Sequence, residues 1–366
     1  DFKGEYEDFE EEEFLPKLLY FVGLGLEQSF SLKALKSLRG CDHVYYESYT
    51  SPVVNDEIMN ELGGLSNPLP KVESVKREFV EDGRKILEAA QSFTIALICS
   101  GDPMVATTHQ ELRIRAIKLG IQTKVMHASS IVSAVGGELG LHSYNFGKMV
   151  SMTREPMQYT AYNTIFRNLL YGLHTTILLE WDEASNFFLN PGAAIQSLLD
   201  AEKDLRYGIF SEETLLLITS RLGTENARIN VLSFGETRTA ELDGAPHVLV
   251  VPGRLHFTER EALGALFGRN PESFQDNSTT AMKISKIMVS KYSAKTLNAL
   301  ERAREAAATS ESRVKFADIF ENVECYTQDA QRFLNEGKDE LAVLSIGYAE
   351  GLLDSLRFGG QLEFEW

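Results

Sequence analysis

The chain has 366 residues, 43% hydrophobic and 24% charged, with 27 Gly, 10 Pro and 3 Cys. That length suits two or three domains with full cores, and the composition excludes collagen-like, disulfide-stapled and disordered polypeptides. Thirty-six basic against 53 acidic residues give a net charge of −17, which argues against a general nucleic-acid binder.

In chain order, residues 1–17 read as an acidic tail: residues 1–13 hold eight acids and one Lys, interleaved with Phe2, Tyr6 and Phe9. An acidic start does not suit a signal peptide. The apolar stretch 14–26 is broken by Pro16 and Lys17, and no run approaches the ~20 residues that span a bilayer. Cys41, Cys99 and Cys325 are too far apart for a CxxC motif, and they read as small buried side chains in a reducing compartment. The expectation is a cytoplasmic protein with no membrane association.

Residues 18–22 form an apolar run rich in β-formers. Further strands are expected at 44–47, 94–99, 123–127, 175–180, 215–219, 228–233 and 248–251. Helices at 31–38, 75–90, 108–119 and 193–205 alternate with them, which implies mainly parallel sheets. Two α/β domains are expected, 18–140 and 141–268, separated by a crossover near 136–147. A polar linker, 269–283, follows. Residues 284–366 read as an all-α bundle: Phe316, Ile319, Phe320, Val323, Tyr326 and Phe333 recur at helical spacing, as do Leu341, Leu344, Tyr348, Leu352 and Leu356. Gly337 is placed to cap a helix and Gly359-Gly360 to end the last one. Gly347 and Gly351 are spaced to let two helices approach closely.

Four strand-end loops carry the chemistry. Val22-Gly-Leu-Gly-Leu26 lets the backbone approach a ligand, but Gln28 stands where a dinucleotide fingerprint needs Gly. Cys99-Ser-Gly-Asp-Pro-Met-Val-Ala-Thr-Thr-His109 presents Asp102, which either accepts hydrogen bonds from a ribose or ammonium group or closes a turn. His127-Ala-Ser-Ser-Ile131 ends a strand in small residues and hydroxyls, and His247 and His256 bracket the last strand. His109, His127 and His174 read as ordinary packed or surface histidines. There is no HExxH metal spacing, no G-x-S-x-G elbow and no P-loop. Small-residue loops without nucleophile or metal ligands describe a cradle for a cofactor that itself holds the reactive atom.

These motifs, with Cys41-Asp-His-Val-Tyr-Tyr-Glu-Ser-Tyr-Thr-Ser51, Tyr171-Gly-Leu-His-Thr175 and Pro246-His-Val-Leu-Val-Val-Pro-Gly-Arg-Leu-His256, occur in an order that resembles the diphthine synthases over residues 18–268. The resemblance implies the tetrapyrrole-methylase class: two α/β domains with S-adenosylmethionine between them, usually in a homodimer. It implies methylation of the amino group on the 3-amino-3-carboxypropyl-histidine of translation elongation factor 2. Archaeal members transfer three methyl groups, giving diphthine and S-adenosylhomocysteine. Carried over by motif, the cofactor contacts are Leu26, Asp102, Val105, Ser130, Ile131, Leu179, Leu222 and His247. Gly136-Gly137 and Gly192-Ala-Ala194 match no family landmark. Corrin methylases usually carry Gly-x-Gly-Pro-Gly in the first loop, whereas Leu26 and Glu27 follow Gly25 here. The C-terminal bundle resembles an archaeal helical domain of unknown function.

The implied reaction is in-line attack of a neutral amine on the sulfonium methyl. An α-amino group titrates near 8, so keeping it neutral costs only about 1–2 kcal/mol, against roughly 7–11 kcal/mol available from alignment. No catalytic base is therefore expected, and the absence of HxxH or HExxH spacing leaves no metal expected either. With so acidic a chain, the factor would dock on a local basic patch, for which Arg113, Arg115, Lys118 and Lys124 are candidates. The alternatives are a corrin or ribosomal-RNA methylase of the same fold, or an S-adenosylmethionine-sensing adaptor acting through the bundle.

Overall fold

A computed structural model describes residues 18–47, 49–50, 72–242, 244–274, 276–307 and 309–366. The acidic tail lies outside the described residues. The chain forms two compact units, one from residues up to 201 with 211–276, the other from 202–210 with 277–366.

The first unit holds two five-stranded sheets. In the first, β1 (Leu18–Gly23), β2 (His43–Glu47), β3 (Val72–Val75), β4 (Ile95–Cys99) and β5 (Gln122–Met126) run parallel in the order β3-β2-β4-β1-β5. Strand alternation explains the near-continuous apolar runs. Leu19, Phe21, Ile95 and Leu97 pack on one face with Val80, Ile86, Leu112 and Ala116. Val22, Ala96 and Ile98 pack on the other with Ala34 and Leu38. Each large, fully buried side chain contributes roughly 1.5–3 kcal/mol.

The single helix expected over 75–90 is two, Arg77–Asp82 and Arg84–Ala90. Gly83 between them has φ +63°, and a Cβ there would stand 2.6 Å from Leu112 Cδ1. The Arg115 guanidinium donates to the Glu81 and Asp82 carbonyls at 3.1 and 2.6 Å, satisfying that helix end.

The second sheet, β6 (Val150–Met152), β7 (Thr175–Leu179), β10 (Leu215–Ser220), β11 (Arg228–Ser233) and β12 (His247–Val251), has the order β11-β10-β12-β7-β6. It corrects the expectation of mainly parallel sheets: only β6–β7 is parallel, while β12–β7, β10–β12 and β10–β11 are antiparallel. Residues 221–227, between β10 and β11, form a hairpin, being too short for a crossover. A two-residue pair, β8 (Trp181–Asp182) and β9 (Phe187–Phe188), is held by stacking of Trp181 on Phe188 at 4.1 Å between ring centres.

In the second unit, helices Ile284–Ala306, Ser310–Asn335 and Asp339–Phe358 enclose a core that includes Leu300, Phe316, Phe320, Val323, Ile346 and Leu353. The last residues join it: Leu362, Phe364 and Trp366 pack there, and Trp366 Nε1 donates to Asp354 at 2.8 Å. Leu341, Leu344 and Tyr348 face solvent, so only part of the expected apolar stripe of this helix is core. Gly347 and Gly351 have no atom within 4 Å of a built Cβ and mediate no close helix approach. Cys41 and Cys99 are buried, whereas Cys325 is exposed. Among the described residues no helix is long and apolar enough to cross a membrane.

Candidate functional site

The parallel sheet delivers its strand ends to one edge, and the loops there are tied to each other. Leu24 N donates to Cys99 O at 2.9 Å, and Gly25 and Gly101 exchange reciprocal N–H···O bonds, both at 3.1 Å. Both glycines hold positive φ, +70° and +68°. Gly23 admits no side chain, since a Cβ would collide with the Gly101 carbonyl, Ala128 and Pro103. The first two glycine loops are thus zipped backbone to backbone.

Asp102 ties in the third loop. Its Oδ1 accepts from Met104 N at 2.8 Å, and its Oδ2 accepts from Ala128 N at 3.2 Å and faces His127 Nδ1 at 2.8 Å. The carboxylate is 7% exposed. Both oxygens are engaged by the protein, so this acid fixes the relative positions of the second and third loops. Val105, half-buried, closes the turn by donating its N–H to Asp102 O at 3.2 Å.

Ser130 begins the helix Ile131–Glu138 through a capping box: its Oγ accepts from Ser133 N, and its N–H donates to Ser133 Oγ at 3.0 Å. Ser129 Oγ accepts the N–H of Leu26 at 3.0 Å. From the second sheet, Gly223 (φ +86°) lies so close that its built Cβ stands 2.5 Å from Leu26 Cβ. Leu26 and Ile131 share an apolar cluster with Leu222, Leu178 and Val248. Leu26 is therefore the point where loops of both sheets meet.

His247 and Ser220 stand opposite each other in the β10–β12 register, and both are buried. Ser220 Oγ has no hydrogen-bond partner among the described residues. Leu179, half-buried, ends β7. The structure thus joins Leu26, Ser130 (through Ser129), Ile131 and Leu222 directly, connects Asp102 and Val105 through the loop ties, and sets Leu179 and His247 at strand ends of the second sheet. An apolar shelf, small-residue loops with room beside Gly101 and a buried unpaired hydroxyl suit an adenosyl-bearing sulfonium compound. Two surface hollows, around Arg304, Arg313 and Phe320 and around Arg84, Leu87 and Arg115, are lined by none of these residues.

Sequence reasoning missed several groups here. Gln28, φ +53°, bonds Gly25 O at 3.3 Å and accepts from Ser100 Oγ at 3.1 Å, bracing the first two loops. His174 is fully buried; its Nδ1 accepts from Gly253 N at 2.9 Å and its Nε2 donates to Glu259 at 3.1 Å. That is the satisfied core histidine expected. His109 is not: its Nδ1 is bonded to Pro103 O at 3.0 Å, but its Nε2 has no partner. Glu47, at the end of β2, is buried beside it. An acid closing an apolar strand was the available signal. Among the described residues no cluster of His, Cys, Asp and Glu is arranged to hold a metal.

A parallel sheet with glycine-loop strand ends, facing a mixed sheet across shared apolar contacts, is the architecture of the tetrapyrrole-methylase class. Residues 18–237 match the family model for tetrapyrrole (corrin/porphyrin) methylases. The diphthine synthase of Methanosarcina mazei is 37% identical over 272 residues, spanning 71% of this chain and 99% of the relative. That of Methanosarcina acetivorans is 39% identical over 261 residues, 67% of this chain and 94% of the relative. A crystal structure of diphthine synthase superposes with TM-score 0.61 at 30% identity, over 68% of this chain and 95% of that one. A conserved hypothetical protein of Aeropyrum pernix K1 gives TM-score 0.63 at 29% identity, over 72% and 94%. The chain belongs to the diphthine synthase family. Residues 291–362 match a separate model, a protein family of unknown function (DUF357).

Proposed function

We propose that this chain is the S-adenosylmethionine-dependent methyltransferase that converts the 3-amino-3-carboxypropyl-histidine of translation elongation factor 2 to diphthine, acting as a homodimer in the cytoplasm. The observation that carries the reading is the convergence on Leu26, whose N–H is held by Ser129 from the first sheet while Gly223 from the second packs on its backbone. Family membership supplies the reaction class.

In this reading Leu26, Ile131 and Leu222 flank the adenosyl group, Val105, Ser130 and Leu179 border it, and His247 closes the second-sheet side. Asp102 contributes by fixing the loops. When bound, S-adenosylmethionine supplies the electrophilic methyl group. The zipped loops hold the cofactor rigidly, and such preorganisation is how alignment lowers the barrier. Of the basic residues considered for docking, Arg115 is committed to helix-end carbonyls and Arg113 Nε to Thr123 Oγ1 at 3.3 Å, so Lys118 and Lys124 remain as the exposed charges for the factor.

The test is mass spectrometry of purified factor bearing the amino-carboxypropyl group, after incubation with enzyme and S-adenosylmethionine. Successive single-methyl additions are expected. An unchanged mass, with no calorimetric heat on adding S-adenosylmethionine to folded protein, overturns the reading.

A further inference from the structure

At the C-terminal end of β2, Glu47 is 1% exposed, and its Oε2 accepts from Thr50 Oγ1 at 2.8 Å while Oε1 has no hydrogen-bond partner among the described residues. His109 Nε2 lies 4.0 Å from Oε2 and also has none. The Pro103 carbonyl can only accept, so His109 Nδ1 carries the ring hydrogen and Nε2 presents a lone pair. Among the described residues the Thr107 hydroxyl is likewise buried without a partner. A protein core rarely leaves such groups unmatched, since each costs about 1–3 kcal/mol. A carboxyl oxygen and an imidazole nitrogen lie together, with the Tyr49 hydroxyl as a neighbouring donor to Glu47, and above neutral pH their remaining lone pairs outnumber the donors beside them.

Their place in the fold relates them to the reaction. Tyr46 pairs with Ile98, which sets Glu47 level with Cys99, immediately before the Ser100-Gly101-Asp102 loop. The charge of Glu183, in the turn between β8 and β9, acts on both Glu47 and Tyr46. The groups facing Glu47 are Cys99 from β4, His109, Tyr46, Tyr49 and Glu183, with Arg77 and Glu81 beyond Tyr49. Among the described residues none is a cation in contact with the carboxyl. An ammonium group, rich in N–H donors, is the complement.

We propose that this buried cluster receives the amino group of the substrate when the strand end opens to it, with Glu47 Oε1 and His109 Nε2 accepting its N–H bonds, and that Glu47 takes up the proton that must leave before methyl transfer. In that step one N–H bond of the ammonium breaks, its electron pair stays on nitrogen, and an O–H bond forms on Glu47. The nitrogen then holds the lone pair that methylation consumes, and the proton passes to solvent between rounds. Burial pushes Glu47 up to about 7, against the hydrogen bonds of Thr50 and Tyr49 and with the Glu183 charge adding to it. Burial also pushes His109 down to about 4, which keeps it an acceptor. A carboxyl titrating near neutrality suits an acid–base group that must cycle. Glu47 thereby becomes a catalytic residue where alignment alone was expected to suffice.

The proposal rests on the methyltransferase reading, and the experiment separates the two. With the full-length chain, Glu47→Gln should lower kcat for the first methyl transfer about 100-fold. It should also abolish the pH–rate limb near 7 while leaving S-adenosylmethionine affinity within about twofold. Glu47→Asp should recover part of the rate. A Glu47→Gln enzyme with the parent's kcat and pH profile overturns the proposal and leaves the methyltransferase reading intact; a parent that does not methylate overturns both. If the variant fails to fold, the parent decides. Binding of the amine-bearing factor to S-adenosylhomocysteine-loaded parent, followed by calorimetry in two buffers of different ionisation heat at about pH 6, should release about one proton as the ammonium lowers the Glu47 pKa. No proton release overturns the proposal.

Discussion

Glu47 and His109 are buried neighbours displaced in opposite directions, and their effects on stability oppose each other. Glu47 titrates at about 7 in the fold against a reference of 4.5, so the native state holds its proton more tightly than the unfolded chain. Stability is then lost as pH rises from 4.5 through about 7, by about 3 kcal/mol at most. His109 is lowered from 6.5 to about 4. The unfolded chain protonates first, so stability is lost as pH falls from 6.5 through about 4, by a similar amount. Between 4.5 and 6.5 the slopes cancel in the parent. Melting temperatures should expose them one at a time: Glu47→Gln should be more stable than the parent at pH 8, on the order of 5 °C, and should weaken toward acid, while His109→Gln should weaken toward neutral pH. Parallel profiles for the two variants would refute this account. Asp102 is a different case, an acceptor for two backbone N–H groups. Asp102→Asn puts an amide donor against donors, so calorimetry should show S-adenosylmethionine affinity down about 10- to 100-fold with about 1–3 kcal/mol lost in stability.

The strand-end loops act as elements, and their coupling can be measured. A methyl group at Gly25 meets φ +70° and stands 2.7 Å from Ser129 Oγ, the atom that holds Leu26 N. Gly25→Ala should weaken cofactor binding at least 10-fold by straining the left-handed residue and displacing Ser129. Ser129→Ala alone should cost a few-fold, and the double variant should be no worse than Gly25→Ala, because removing Oγ clears the collision. Full additivity in binding titrations would show that the loops are independent. The loops were legible because glycines and hydroxyls at the ends of apolar strands stand out in the letters, and β1, β4, β5, β7 and β10–β12 were visible as apolar or alternating runs. Other elements were not. β3 and β6 are short and partly polar, and β8 and β9 have two residues each. The helix Ile131–Glu138 hides behind Gly136-Gly137, Tyr159–Leu170 carries Tyr, Thr and Asn on a buried face, and Phe257–Phe267 is capped by His256. The antiparallel order of the second sheet was recoverable from the brevity of residues 221–227, but alternation with helices outweighed it. Glu47 shows no role within its sequence motif, since its neighbours come from distant segments that only the fold assembles.

At the scale of the whole chain, the methylase region and the helical unit differ in what the family requires. The Methanosarcina mazei relative is matched over 99% of its own length by 71% of this chain, and residues 291–362 belong to a different family model. The methyltransferase chemistry of the family is thus complete without a counterpart of the helices. Ending this chain at Asp276 should leave S-adenosylmethionine affinity within about twofold of the parent, because all eight expected contact residues lie in the first unit. Stability should fall nonetheless. Residues 202–210 belong to the second unit: Met282 N donates to Tyr207 O at 3.0 Å, and Gly208 packs against the Thr280 carbonyl. Ile209 and Phe210 are buried at 0% and 7% exposure. Exposing two such side chains costs about 1.5–3 kcal/mol each, so the truncated chain should melt lower and aggregate sooner. Replacing Ile209 and Phe210 with polar residues should restore its solubility without changing cofactor affinity. A folded truncated chain that no longer binds S-adenosylmethionine would place part of the cofactor site in the helices and undo the assignment of the site to the strand-end loops.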